Sequence, residues 1–188
     1  MGKKIDHITT HLQEFIRQQK IFFVGTAAAD GRINISPKGL ESLKILNANE
    51  ILWLNLTGSG NETAAHLLEN DRMTIMFCAF EGKPLILRLY GYAVIFHDKD
   101  SAFAEYVKMF PHMEGARQII KMKVDLVQTS CGFGVPIMEF KEERDMLTKF
   151  AQQKGEAGIV EYWQDKNVTS IDGKDTKILE RSTAGKKK

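Results

Sequence analysis

Apolar residues recur along this chain with two periods, and the switches between them mark out the elements. Ile5, Ile8, Leu12, Phe15 and Ile16 stand three and four apart with polar residues between them. This spacing predicts an amphipathic helix over 4–19 that packs one face on the rest of the molecule. Phe22 to Ala27 reads as a buried strand, Asp30-Gly31 is a turn signal, and the alternation of Ile33-Asn34-Ile35-Ser36 predicts a hairpin partner. Pro37 has no N–H for a ladder and biases Ser36 toward an extended backbone, so it ends or edges this second strand. A connector from Leu40 to Ile45 and a polar turn at 47–50 lead to a third strand, Ile51 to Leu56.

The small polar loop from Thr57 to Thr63 opens a stretch of helix-forming composition, Ala64 to Asn70. Met73 to Phe80 and Leu85 to Phe96 read as strands joined by Glu81-Gly82-Lys83-Pro84, a connection of hairpin length. A helix from Ser101 to Phe110 should stop at Pro111. Lys121 to Gln128 alternates as a sixth strand, and Glu139 to Gln164 has a helical pattern broken at Gly155 and Gly158. No internal repeat or low-complexity segment interrupts this order. Strands joined mostly by short turns in a chain of this length predict a mainly β fold with flanking helices: a small, six-stranded antiparallel barrel. Closing it removes exposed strand edges.

Composition narrows the function classes. With 188 residues and 43% hydrophobic positions, the chain suits one ordinary domain that buries its core without a structural metal. The 26 Lys and Arg nearly balance 24 Asp and Glu, which argues against a polyelectrolyte mode of action and makes nucleic acid an unexpected partner. Lys186-Lys187-Lys188 would neutralise few phosphates and reads as a solvated tip. No apolar run reaches membrane-spanning length, the N-terminus lacks a signal-type apolar region, and Asp6 stands where myristoylation prefers Ser or Thr. Cys78 and Cys131 form no disulfide or zinc pattern. A cytoplasmic protein is the expectation.

Candidate chemistry is sparse. The loop at Gly58-Ser59-Gly60-Asn61 opens a helix, where free N–H groups and the helix dipole attract anions. It matches neither a Walker nor a Rossmann pattern, and Asn61 would serve equally well as an ordinary N-cap. Lys38 could carry a point charge to a phosphate, or be simply solvated. Arg88 interrupts the apolar run from Leu85 to Tyr90, so it either faces solvent or pairs with an anion. His7 and His11 are four apart but have no third ligand in sequence, so no metal site is expected. Cys131, among glycines, reads as a buried inert thiol, and Trp53 and Trp163 as core or interface.

Taken together, three blocks resemble the pyridoxamine 5'-phosphate oxidase-like FMN-binding split-barrel family: Phe23 to Gly39, Leu56 to Leu67, and Met76 to Phe80 with Leu87 to Gly91. Ser130 to Pro136 and Asn167 to Gly173 resemble the C-terminal part of an uncharacterised branch. The resemblance implies a six-stranded antiparallel split β-barrel over residues 1–170, a polar tail over 171–188, and a homodimer with FMN at its interface. It places Asn34, Ile35, Ser36, Pro37 and Lys38 along the flavin ring and ribityl chain, together with Leu56 and Thr57, and it places Gly58, Ser59, Asn61, Glu62 and Thr63 at the phosphate. Oxidases of the family carry an Arg-Lys pair where this chain has Glu62-Thr63. The phosphate charge would then come from elsewhere, with Lys38 or Arg88 as candidates. The tail from Ser170 does not resemble the segment that holds vitamin B6, so the implied activity is flavin-linked electron transfer with a reduced nicotinamide or small organic substrate. Alternatives are a binding or sensing module without turnover, and deazaflavin or haem in the same cleft. No catalytic acid or base can be assigned.

Overall fold

The computed structural model describes residues 2–182; the lysine tip lies outside the described residues. The chain begins with a two-residue strand, β1 (Lys4–Ile5), and a helix, α1 (Thr10–Gln18). The helix starts later than the apolar spacing predicts because Thr9 is extended and accepts the Leu12 N–H, capping the helix at that point. Upstream, Lys4 and Ile5 pair instead with Gln128 and Val127. Ile8, Leu12 and Ile16 still face the core.

Strands β2 (Phe22–Thr26) and β3 (Asn34–Lys38) form the expected hairpin, with Thr26 opposite Asn34 and Phe22 opposite Lys38. Pro37 is tolerated because β3 is an edge strand whose one neighbour is β2. The segment read as a connector contains a further strand, β4 (Leu43–Asn47), which turns directly into β5 (Glu50–Leu56). Its residues are half-buried on both faces, so the sequence shows no alternation there. Then follow α2 (Glu62–Glu69), β6 (Arg72–Cys78), β7 (Ile86–Phe96), α3 (Ser101–Tyr106) with one 3-10 turn, and β8 (Ala116–Ser130). β8 begins five residues before the predicted sixth strand, a difference that matters below.

The strand order is β3-β2-β6-β7-β8-β5-β4, all pairs antiparallel, with β1 added on β8. Among the described residues there are thus eight strands instead of six, and the two ends of the path, β3 and β4, are not bonded to each other. The barrel is split. Its interior holds Val24, Ile51, Trp53, Ile75, Phe77, Leu87, Leu89, Ile120 and Met122, with α1 packed on them. At a bulge between Tyr90 and Gly91 the backbones of β7 and β8 come so close that a Cβ on Gly91 would collide with the Lys123 carbonyl.

Residues 131–145 have no regular structure, and α4 (Met146–Lys166) starts later than the helical pattern suggests. Its break is at Gly155 (φ 60°, ψ 178°), a conformation open to glycine and hardly to other residues, whereas Gly158 remains helical. The described part of the segment read as a polar tail packs down: it includes α5 (Ile178–Arg181), and Ile178 joins Ala151, Ile159 and Trp163 in a satellite core. No helix among the described residues is long and apolar enough to cross a membrane.

Candidate functional site

In β3 the usual amphipathic order is inverted. Asn34, Ser36 and Lys38 point inward and are half-buried, while Ile35 points outward and is 71% exposed. The inward residues border a cleft of about 240 Å³ in the split of the barrel. Across it stand Trp53, Asn55 and Leu56 of β5 and Arg117 of β8; Gly58, Ser59 and Gly60 of the following loop, with Glu62 and Thr63 of α2, close one end.

The polar lining is tied together. Asn34 donates to the Thr63 hydroxyl (3.3 Å) and to that of Thr26 (3.4 Å), and the Thr26 hydroxyl also meets Nδ1 of the buried His66 (3.1 Å). Lys38 lies with its Nζ 5.1 Å from the centre of the Trp53 ring. Burial, helped by the charge of Arg117, pushes its amine down to about 8.

Arg117 is the most unusual group. It is 5% exposed, its Nη1 donates to Asn167 Oδ1 (2.7 Å), its Nη2 donates weakly to Asn55 Oδ1 (3.5 Å), and its Nε has no partner among the described residues. Both partners are neutral amide oxygens. Burial pushes this guanidinium down to about 9, with Tyr162 opposing the shift in part. Glu62, the one carboxylate on the cleft among the described residues, is occupied: both its oxygens accept the Ile171 N–H at 3.1 Å.

The remaining residues singled out from the sequence fall in other places. Thr57 is buried, and its hydroxyl donates to the Gly115 carbonyl (2.7 Å) and accepts the Trp163 indole N–H (2.8 Å), so it braces the loop. Asn61 is the N-cap residue of α2 but makes no capping bond; its amide donates to the Asn167 carbonyl (3.5 Å) and its Oδ1 has no partner among the described residues. Ile35 and Arg88 line a different depression, on the outer face of β2, β3, β6 and β7, where Arg88 donates to the Ser130 hydroxyl (3.0 Å). Pro37 borders a third cleft, against residues 138–147. Cys131 is exposed, contrary to the buried thiol its glycine neighbours suggest, because residues 131–145 run over the surface; Cys78 is buried. His7 contacts Asp6, and no group of three or more His, Cys, Asp or Glu side chains among the described residues is arranged to hold a metal ion.

Sequence reasoning missed Asn55, Arg117 and Asn167. Arg117-Gln118 breaks the alternation just before Ile119, so β8 reads as starting later. The available signal was a polar pair leading directly into an apolar strand, the same type of interruption that singled out Arg88.

Residues 8–131 match the pyridoxamine 5'-phosphate oxidase family. The Aspergillus flavus pyridoxamine 5'-phosphate oxidase family protein ustO is 36% identical over 186 residues, covering 89% of this chain and 75% of the relative. The chain belongs to this family. Its fold is also that of HupZ from Group A Streptococcus (TM-score 0.52, 21% identity, 63% of this chain and 91% of that one). A Lactobacillus delbrueckii protein whose name places it among pyridoxamine 5'-phosphate oxidases has the same fold (TM-score 0.51, 13% identity, 65% and 98%).

Proposed function

We propose that the split of the barrel binds FMN, with the phosphate held by Arg117 and Lys38, and that the protein is a flavin-dependent oxidoreductase acting on a reduced nicotinamide or small organic substrate. The observation that carries this reading is Arg117: a buried cation held by neutral oxygens, with its Nε unpartnered among the described residues, at a cleft where a second cation is partly desolvated. Such an arrangement fits a phosphate dianion, which would supply the missing counter-charge and accept the free N–H. Arg117 and Lys38 thus fill the role that the departure at Glu62-Thr63 leaves open.

The donors continue along the cleft. Ser36 and Asn34 line it from β3, and Ser59 and Thr63 from the loop and helix. At about 240 Å³ the cleft lies below the roughly 300–1,000 Å³ usual for a drug-sized ligand, so one chain encloses the phosphate end and leaves the rest of the ligand open. A homodimer would complete it. The outward face of β3 and β7 supports this, since Ile33, Ile35, Tyr92 and Val94 are all about half exposed or more. Bound FMN would supply hydride and electron transfer; the chain supplies binding and electrostatics. Free thiols at both cysteines suit the reducing cytoplasm.

The test is an absorption spectrum of the purified protein followed by FMN titration, then turnover with a reduced nicotinamide. Flavin bands and saturable binding, lost in Arg117→Met, are the expected result. A colourless protein that ignores added FMN overturns the reading. Flavin binding without oxidation of any reduced nicotinamide would favour a binding or sensing module, which has its own support: the Glu62 carboxylate on the cleft is taken up by the Ile171 N–H and is not free to act as a base.

A further inference from the structure

The residues behind the cleft belong to a segment that the family resemblance leaves without a role. Trp163 near the end of α4 donates its indole N–H to Thr57, and the chain then runs along the loop and α2. Asn167, fully buried, donates through Nδ2 to the Gly58 carbonyl (3.1 Å), accepts Arg117 Nη1 at Oδ1 (2.7 Å), and takes the Asn61 amide (3.5 Å) and the Thr176 hydroxyl (2.6 Å) on its backbone carbonyl. Ile171 then ties down Glu62, Asp172 pairs with Arg32, and Lys174 reaches Asp30 (2.6 Å) and Glu69 (2.9 Å).

We propose that Asn167 is a positioning residue that sets the specificity of this site for anions: its neutral oxygen aims the Arg117 guanidinium at the cleft without cancelling the charge. An Asp at this place would keep the Arg117 contact and neutralise the cation, while losing, as Ala does, the donor that the Gly58 carbonyl accepts. An amide holds the geometry and leaves the charge for a ligand. The further bond from Asn167 to Gly58 fixes the opposite wall, so one side chain sets the distance between the arginine and the loop that opens α2. The same segment draws the Glu62 carboxylate onto Ile171, which satisfies the acid that faces the anion. Residues 163–171 therefore build the electrostatics of the site from behind, and the ligand class they select is a phosphate dianion such as that of a mononucleotide.

This rests on the anion reading of the cleft, and the experiment separates the two. Full-length wild type, Asn167→Asp and Asn167→Ala are compared by thermal melting in phosphate-free buffer, by the melting shift on adding inorganic phosphate, and by FMN titration. Asn167→Asp is expected to weaken phosphate and FMN binding about 100-fold while melting no lower than Asn167→Ala, since its carboxylate pairs with the buried cation. Asn167→Ala, which removes the oxygen without adding charge, should weaken binding about tenfold. A purely structural asparagine predicts that loss of binding follows loss of stability in both variants, or that Asp and Ala bind alike, and either result overturns the proposal. If wild type responds to phosphate but not to FMN, the cofactor reading fails and the same comparison of variants still decides the role of Asn167. No response of wild type to either anion overturns both.

Discussion

Replacing Arg117 by Met tests whether its charge is truly uncompensated. Burial pulls the guanidinium down from the usual arginine range to about 9, which corresponds to a cost of several kcal/mol for keeping this cation buried in the ligand-free protein. Methionine retains an apolar stem of similar reach and removes the charge, but it leaves the Asn167 and Asn55 oxygens without a donor, a loss of about 1–3 kcal/mol for the short bond and less for the long one. The net expectation is a gain of roughly 2 kcal/mol, or a rise in melting temperature of about 5 °C for a chain of this size. The assay is calorimetry in anion-free buffer, with FMN titration on the same samples. Higher stability should go with an affinity for FMN at least about 100-fold lower. If the variant melts below wild type, the guanidinium already has a counter-charge and the reasoning that makes it an anion site is refuted.

Other perturbations address separate parts of the structure. Because Lys38 titrates near 8 in the fold and near 10.5 unfolded, the unfolded chain binds more protons between these values, so the ligand-free protein should gain stability, by at most about 3 kcal/mol, as pH rises across that window. Over the same range FMN affinity should fall, and urea midpoints and titrations from pH 7 to 10 should show both trends reduced but not abolished in Lys38→Met, because Arg117, pushed down to about 9, loses its charge in the same window. Glu62→Gln keeps an acceptor for the Ile171 N–H and removes a negative charge, so FMN affinity measured by fluorescence should rise a few-fold; a marked loss would place the carboxylate itself in the binding contact. Gly91→Ala should cost upwards of about 2 kcal/mol in chemical denaturation because the Lys123 carbonyl occupies the space, whereas Gly25→Ala, where an added Cβ would lie 3.8 Å from the Thr74 carbonyl oxygen, should be far milder. If the proposed homodimer uses the exposed Ile35 face, the wild type should sediment as a dimer and Ile35→Glu as a folded monomer; a dimer in both would move the interface elsewhere, and a monomer in both would refute the dimer.

How much of this was legible beforehand depended on whether each element followed the period of its own type. β2, β5, β6 and β7 were visible because their buried sides repeat every second residue or run continuously apolar. β4 was not, since both its faces are half-buried. α1 was read too long because Ile5 fits a helical spacing and a strand equally well, and only the cap at Thr9 decides. Within the site, Asn34, Ser36, Lys38 and the loop from Gly58 to Thr63 are local in sequence and could be placed on one cleft from the family resemblance. Asn55, Arg117 and Asn167 come from three distant segments brought together by the strand order and the packing of α4, a juxtaposition that no local pattern carries.

The split in the barrel and the charge inside it explain each other. A sheet closing on itself would join β3 and β4 and leave no room for polar side chains between them; here the inward faces of β3, β5 and β8 carry Asn34, Ser36, Lys38, Asn55, Arg117 and Gln118, which are expensive to bury against apolar neighbours. Stability is drawn instead from the apolar interior on the far side and from the satellite core of α4 and α5. Where family oxidases put two cations on the first turn of the helix, this chain puts an acid that fastens its own C-terminal segment, and that segment in turn holds a cation supplied by β8. A cation on a strand interior is more deeply buried than one on a helix end, so its pull on an anion is less screened by water and salt. Its dependence on the neutral side chain behind it is correspondingly greater, and this places control of the site in Asn167 more than in the loop that first drew attention.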